Sequence, residues 1–90
     1  MRCHVIVRGK VQNVGFRWFV RERARALGLA GRVGNRRDGT VEVEAEGEAT
    51  AIDILIVHLG TGPAGSRVMS VEPLTDATSS SVLPNPFTID

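Results

Sequence analysis

The hydrophobic repeat of this chain switches between the two-residue period of a strand and the roughly 3.6-residue period of a helix, and the order of the switches restricts the fold. Cys3 to Arg8 is β-prone and alternates, which predicts a strand with Cys3, Val5 and Val7 on one face. Phe16 to Leu27 predicts a helix. Its apolar stripe consists of Phe16, Phe19, Val20, Ala24 and Leu27. Gly28 then suits the left-handed position after a helix, where Leu29 can fold back onto the last turn.

The next segments predict a hairpin. Ala30 to Arg36 runs into the turn signal "RRDG", and the following "TVEVEAEG" alternates again. Its apolar residues alternate with Thr40, Glu42, Glu44 and Glu46. This row predicts a solvated sheet face without a histidine partner rather than a metal site. We read His4 and His58 as structural or surface residues.

The second half of the chain predicts one more helix and two strands. "EATAIDILIVHL" carries β-branched residues, but its length and the spacing of its apolar residues favour a helix. Arg67 to Glu72 predicts a fourth strand, "LTDATSSS" a polar loop, and Phe87 to Ile89 a short last strand. "GTGPAG" matches a dinucleotide-binding pattern, but it follows a helix and precedes a strand, so we read it as a loop and expect no cofactor.

The predicted order is β-α-β-β-α-β with a short C-terminal strand. This is the ferredoxin-like split βαβ plan of the α+β class, with two helices on one face of an antiparallel sheet. We expect a single domain over residues 1–90, because a chain of this size supports one core. With 42% apolar residues and a net charge of +1, the composition is that of a globular protein rather than a disordered or nucleic-acid-binding tail.

Cysteine use and hydropathy predict the compartment. Cys3 is the only cysteine, so no intrachain disulfide can form. No apolar run approaches the ~18 residues of a membrane span, and the N-terminus lacks the apolar run of a signal peptide. We therefore expect a cytoplasmic protein without a membrane partner.

The start of the first predicted helix, "NVGFRW", is unusual in its charge. The first turn contains no acid and carries Arg17, although the helix dipole favours negative charge there. A loop of backbone N–H groups leading into a helix can cradle a phosphate, and Gly15 lets the backbone approach it closely. The alternative is that Arg17 is a solvated arginine and Asn13 caps the helix.

A second polar residue breaks a pattern in the hairpin. Asn35 alternates with Gly31 and Val33, so it lies on the strand face that is otherwise apolar. Its amide could hold a water and steady a developing charge. The alternative is an asparagine that bonds its own backbone near the turn.

The two segments together resemble the acylphosphatase family. That family's motif has the form G-x-V-Q-G-V-G-F-R, followed by G-x-V-x-N-x-x-D-G-x-V-E. The matching residues are Gly9, Val11, Gln12, Val14, Gly15, Phe16 and Arg17, then Gly31, Val33, Asn35, Asp38, Gly39, Val41 and Glu42. Asn13 departs from the motif, because it stands where the family usually has glycine. If that position needs a positive φ, asparagine is the next best tolerated residue.

The resemblance implies a metal-free hydrolase that splits acyl phosphates into a carboxylate and inorganic phosphate. Arg17 and the loop N–H groups would bind the phosphoryl oxygens, and Asn35 would orient the attacking water. The loop residues are Gln12, Asn13, Val14, Gly15 and Phe16. The resemblance further implies a small-molecule substrate, inhibition by phosphate as the competing product, and a monomer.

A binding module on the same fold is the competing interpretation. It would sense a phosphate or carbamoyl group without turnover, or bind RNA. An RNA-binding sheet presents aromatic residues on its strands for base stacking. Here three of the four aromatic residues, Phe16, Trp18 and Phe19, lie in the loop and helix segment, so we expect no nucleic-acid partner.

Overall fold

A computed structural model describes residues 1–74 and 82–90. Its elements are β1 (Arg2–Lys10), α1 (Phe16–Ala26), β2 (Ala30–Asn35), β3 (Val41–Glu46), α2 (Ala49–Thr61), β4 (Arg67–Pro73) and β5 (Thr88–Ile89). The predicted order of elements is confirmed, and the ambiguous segment before β4 is the helix that its length favours. That helix runs through Thr61, two residues into the segment predicted as a loop. Residues 75–81 of the predicted polar loop lie outside the described part of the chain.

The strands form one mixed sheet in the order β4-β1-β3-β2-β5. The four long strands pair antiparallel, as the split βαβ plan requires. β5 instead runs parallel to β2, with Arg32 opposite Thr88 and Val33 opposite Ile89. The prediction of a wholly antiparallel sheet therefore fails at this edge, because β5 lies at the opposite edge of the sheet from β4 and runs in the direction of β2.

The core lies between the two helices and one face of the sheet. Period-two alternation places the valines of β1 and β3 on this face, and helical spacing aligns the apolar residues that cover it. Buried residues of the core include Val5, Val7, Val41 and Val43 from the sheet, Phe16, Val20 and Ala24 from α1, and Ile52, Leu55 and Leu59 from α2. Each large side chain contributes about 1.5–3 kcal/mol by leaving water. Among the described residues, no helix is long and apolar enough to cross a membrane.

The end of α1 follows the sequence prediction. Gly28 adopts the left-handed region at φ 72°, and the Leu29 N–H donates to the Ala24 carbonyl at 2.9 Å. Leu29 is buried against the core. The positive φ that glycine permits thus closes the helix and starts the chain towards β2.

On the open face of the sheet, opposite the helices, the charged side chains are less exposed and have more contacts than the sequence predicts. Glu44 is only 8% exposed, so the prediction of a solvated row is wrong at this residue. The prediction that the row has no histidine partner is also wrong, because His4 Nε2 contacts the Glu42 carboxylate. The cause is the strand order, since β1 lies beside β3 and aligns His4 with Glu44.

Candidate active site

The loop between β1 and α1 contains two residues in the left-handed region. Asn13 has φ 62°, and Gly15 has φ 76° and ψ 19°. Asparagine is among the side-chain-bearing residues that best tolerate this region, so Asn13 takes the positive φ that the motif's glycine would supply. Left-handed residues within a turn direct successive backbone N–H groups towards a common centre, which is the geometry of an anion-binding nest.

Within the described ranges 1–74 and 82–90, the first turn of α1 has no side-chain cap and no acid at its positive end. Gly15 occupies the N-cap position without a side-chain capping bond, and the turn holds no acid. The first helical bond runs from the Phe19 N–H to the Gly15 carbonyl at 3.0 Å, so the N–H groups of the three preceding residues have no intrahelical acceptor. The alternative in which Asn13 caps the helix is therefore wrong.

Arg17 extends from this turn and is partly buried. Within residues 1–74 and 82–90 it makes no ion pair and no side-chain hydrogen bond. A cation beside a positive helix end is unfavourable unless an anion or solvent offsets it. The combination describes a site whose charge is suited to an external oxyanion.

A cavity of about 190 Å³ joins the loop to the hairpin. Its lining residues are Val11, Asn13, Gly15, Phe16, Arg17, Trp18, Asn35 and Ile89. The cavity therefore brings together Arg17, Asn35 and three of the five predicted loop residues. Gln12 and Val14 do not line it. Sequence reasoning missed Trp18, which is 58% exposed beside Arg17, and Ile89, which reaches the cavity only because β5 pairs with β2.

Phe16 contributes differently from the other lining residues. Its ring is only 1% exposed and belongs to the core, where it lies 6.2 Å from the Phe19 ring. Its packing fixes the start of α1 against the sheet. A ligand in the cavity can therefore hydrogen-bond only to the backbone of Phe16, which agrees with the predicted role of a loop N–H donor.

The side chain of Gln12 connects the loop to the β2–β3 turn. Its Nε2 donates to the carbonyls of Arg36 at 2.7 Å and Thr40 at 2.9 Å. These bonds join the segment that carries Arg17 to the turn that follows Asn35. The sequence predicted only a backbone role for Gln12, because the acceptors of its amide come from residues 24 and 28 positions away.

The turn itself is held by Asp38. One of its carboxylate oxygens, Oδ1, accepts hydrogen bonds from the Thr40 hydroxyl and, at 3.0 Å, from the Thr40 N–H. These two bonds lower the pKa of Asp38 from its ordinary value. The ionised carboxylate thus stabilises the turn, whose backbone carbonyls accept the hydrogen bonds of the Gln12 amide.

Asn35 is the last residue of β2 and lies opposite Val41 in the hairpin register. It is exposed, and no hydrogen bond of its side chain occurs within the described part of the chain. The alternative of an amide bonded to its own backbone is therefore not found. Its amide stays available to a molecule in the cavity.

The chemistry of the cavity follows from its lining. It offers one guanidinium, the exposed amides of Asn13 and Asn35 and the N–H groups of a helix start, and no histidine, cysteine or carboxylate side chain of the described residues lines it. A water occupies about 30 Å³ in the liquid, so the volume admits a tetrahedral oxyanion together with a water. The arrangement can bind an oxyanion and position a water, and it does not provide a general base.

Comparison with known proteins gives consistent results. The acylphosphatase family model matches residues 3–89. An acylphosphatase of Bifidobacterium longum is 45% identical over 83 residues, covering 88% of this chain and 86% of the relative. The crystal structure of an acylphosphatase from Bacillus subtilis superposes with a TM-score of 0.85 at 34% identity, covering 99% and 97% of the two chains. An acylphosphatase structure from Coxiella burnetii gives a TM-score of 0.83 at 38% identity, covering 99% and 90%.

Proposed function

This chain belongs to the acylphosphatase family and is a hydrolase of that type, and from this premise we propose how its residues divide the reaction. Arg17 and the backbone N–H groups of the loop from Gln12 to Phe16 hold the phosphoryl oxygens. Asn35 orients the attacking water. The observation that supports the proposal most directly is that Arg17, which has no ion pair among the described residues, lies at an acid-free helix start in the same cavity as Asn35.

Binding of the phosphoryl group uses charge that the fold leaves uncompensated. The guanidinium can donate two parallel N–H bonds to two phosphoryl oxygens, and the helix start adds backbone donors and the positive end of the dipole. Since the described residues supply no acid to this turn, the incoming anion meets no internal competitor. The same donors stabilise the charge on the equatorial oxygens in the transition state.

In the water step, we assign the orienting role to the amide of Asn35. Its carbonyl oxygen accepts a hydrogen bond from the water and places the water oxygen for in-line attack on phosphorus. The new P–O bond forms as the bond to the acyl oxygen breaks, and the carboxylate leaves with the electron pair. Since none of the described residues that line the cavity is a side-chain base, we assign the water's proton to a phosphoryl oxygen of the substrate.

So few groups suffice because of the leaving group. A carboxylate departs without general-acid help, and the loose transition state of phosphoryl transfer needs mainly positioning and charge stabilisation. The Gln12 bonds to the hairpin turn supply the positioning, because they hold the loop and Asn35 in one frame. The reaction as proposed requires no metal ion.

The remaining properties are proposals that follow from the same site. Inorganic phosphate competes with the substrate, because it presents the same oxygens to Arg17 and the loop. The protein acts as a monomer, since Arg17, Asn35 and the loop already meet in one cavity without a contribution from a second copy. We place it in the cytoplasm, in agreement with its single free thiol.

The test is hydrolysis of benzoyl phosphate, a model acyl phosphate, by purified protein in EDTA, with release of inorganic phosphate as the readout. Spontaneous hydrolysis in protein-free buffer is subtracted. We expect turnover without added metal, and inhibition by inorganic phosphate that raises KM and leaves kcat unchanged. Phosphate binding without turnover would instead identify a binding module.

A further inference from the structure

We propose that the open face of the sheet holds a binding site for a divalent transition-metal ion of the zinc class, with His4, Glu42 and Glu44 as its ligands. Its three ligands are not residues of the phosphoryl cavity, although Asn35 lines both cavities, and they connect β1 to β3. Four independent features support it: the spacing of the donor atoms, an unpartnered carboxylate oxygen, the local charge, and the chemistry of the donors.

The first feature is the convergence of three donor atoms. β1 and β3 pair antiparallel, with His4 opposite Glu44 and Ile6 opposite Glu42, so all three ligands extend from the same face. One nitrogen of His4 and one carboxylate oxygen from each glutamate lie within 4.8 Å of one another. The donors of a tetrahedral zinc ion are about 3.4 Å apart, given Zn–N and Zn–O bonds of about 2.1 Å. Small side-chain rotations that separate His4 from the Glu42 carboxylate it now contacts would let all three donors bond one ion.

The second feature is the state of Glu44. This side chain is 10% exposed, and its Oε2 finds no hydrogen-bond partner in the part of the chain that the structure describes. A buried carboxylate oxygen without a partner is costly and uncommon in folded proteins. A cation bound at this oxygen would satisfy it.

The third feature is the position of Arg32, which shows how much of the negative charge of Glu42 and Glu44 is balanced by a neighbouring cation. It lies opposite Glu44 in the register of β2 and β3, and its Nε is 3.6 Å from Glu44 Oε1. That distance exceeds the usual 2.7–3.2 Å or so of an N–H···O bond, and Nε also has no partner among the described residues. Arg32 therefore balances one of the two negative charges that Glu42 and Glu44 carry. It faces Oε1 of Glu44, so Oε2 of the same carboxylate remains free to bind a cation.

The fourth feature is the donor chemistry, which selects the metal class. An imidazole nitrogen with two carboxylates suits zinc and its neighbours in the transition series, whereas magnesium and calcium prefer oxygen ligands alone. A cavity of about 290 Å³, lined in part by Arg32, Glu42 and Glu44, provides an approach and room for a water as fourth ligand.

The test titrates zinc chloride into EDTA-stripped, desalted protein by isothermal calorimetry. We expect one zinc ion per chain. His4→Ala or Glu42→Gln should weaken zinc binding at least about 10-fold, because even the loss of a residue that only hydrogen-bonds a metal ligand costs about 10- to 100-fold in affinity. Arg32→Ala should tighten binding, because it removes the positive charge beside Glu44. The thermal unfolding midpoint should rise with free zinc in the unsubstituted protein and not in His4→Ala.

Two matched variants serve as controls. Glu46→Gln alters the next glutamate on the same face of β3, which pairs with Arg2 at 3.1 Å and lies outside the cluster. Cys3→Ser removes the only thiol of the chain. Both should bind zinc as the unsubstituted protein does.

Three outcomes would overturn the proposal. They are a zinc dissociation constant weaker than about 1 mM, binding that His4→Ala and Glu42→Gln leave unchanged, and binding that depends on Cys3 or Glu46. Circular dichroism verifies that each variant is folded. Because hydrolysis is assayed in EDTA, loss of the zinc site and loss of acylphosphatase activity are separate results.

Discussion

Replacing Arg17 by alanine should lower kcat/KM by about 10²-fold, by analogy with removal of one oxyanion donor, without loss of stability. The two effects separate because this side chain has no ion pair or hydrogen bond within the described residues, so the folded protein loses no internal contact of that kind. A structural arginine would show the reverse, with stability falling first. The variant therefore distinguishes a ligand-binding cation from a structural one.

The magnitudes follow from the site. A hundredfold loss corresponds to about 2.7 kcal/mol of transition-state stabilisation, at about 1.36 kcal/mol per factor of ten. For stability, removing a cation from the first turn of an acid-free helix relieves about 0.3–1 kcal/mol of dipole repulsion. Lost packing of the partly buried arginine stem offsets part of that gain. The free energy of unfolding should therefore stay constant or rise by up to about 0.5 kcal/mol.

Three measurements test this expectation. Initial rates of phosphate release from benzoyl phosphate in EDTA give kcat/KM, and urea unfolding gives stability. Urea unfolding with inorganic phosphate gives binding, because a ligand at 100 times its dissociation constant stabilises the folded state by about 2.7 kcal/mol. That stabilisation should largely disappear in Arg17→Ala.

Arg21→Ala is the matched control, since Arg21 lies on the same helix, pairs with Glu22 at 3.1 Å and does not line the cavity. Its kcat/KM should stay within about threefold of the unsubstituted value. The reasoning is refuted if Arg17→Ala also falls less than about threefold. A loss of unfolding free energy above about 1 kcal/mol would likewise show that Arg17 has a structural role.

Three further changes test the rest of the site. Asn35→Ala should lower kcat by about 10²-fold while phosphate still inhibits, and a change confined to KM would contradict the water-orienting role. Asn13 has φ 62°, so Asn13→Ala should lower the free energy of unfolding by about 1–2 kcal/mol, whereas Asn13→Gly should change it by less than about 0.5 kcal/mol. Equal free energies for the two variants in urea unfolding would argue against the left-handed conformation. Because hydrogen bonds from Thr40 lower the pKa of Asp38 below its ordinary 3.8, this carboxylate stabilises the fold above that pH and loses its contribution as pH falls through the lowered pKa. Asp38→Asn should therefore reduce the change in the free energy of unfolding with pH, measured by urea unfolding between about pH 2 and 6. An unchanged pH dependence would show that Asp38 does not stabilise the fold in this way.

Local elements could be predicted because the evidence for each lies within a few consecutive residues. The stripe of α1, the positive φ of Gly28 and the hairpin around "RRDG" all repeat or terminate a pattern inside one segment. The site could be anticipated in the same way, since an acid-free helix start with Arg17 is a local anomaly. Asn35 joined it only through the family resemblance.

Contacts between distant strands could not be predicted from such patterns. Nothing local to "EVEAEG" shows that β1 lies beside β3, so the sequence indicated a solvated row where the structure places His4 against Glu42, 38 positions away. The parallel pairing of β5 with β2, which brings Ile89 to the cavity, joins residues more than 50 positions apart in the chain.

The sequence by itself therefore determined the order and type of the elements and the two halves of the candidate active site, because hydrophobic period, turn chemistry and helix-end charge are local properties of the chain. Only the tertiary structure decided how those halves meet. Gln12 bonds the β2–β3 turn, and the strand order places His4 beside a charged row in which Glu44 is buried. The physical reason is that side-chain partners depend on which strands become neighbours, and that choice is made by packing of the whole core.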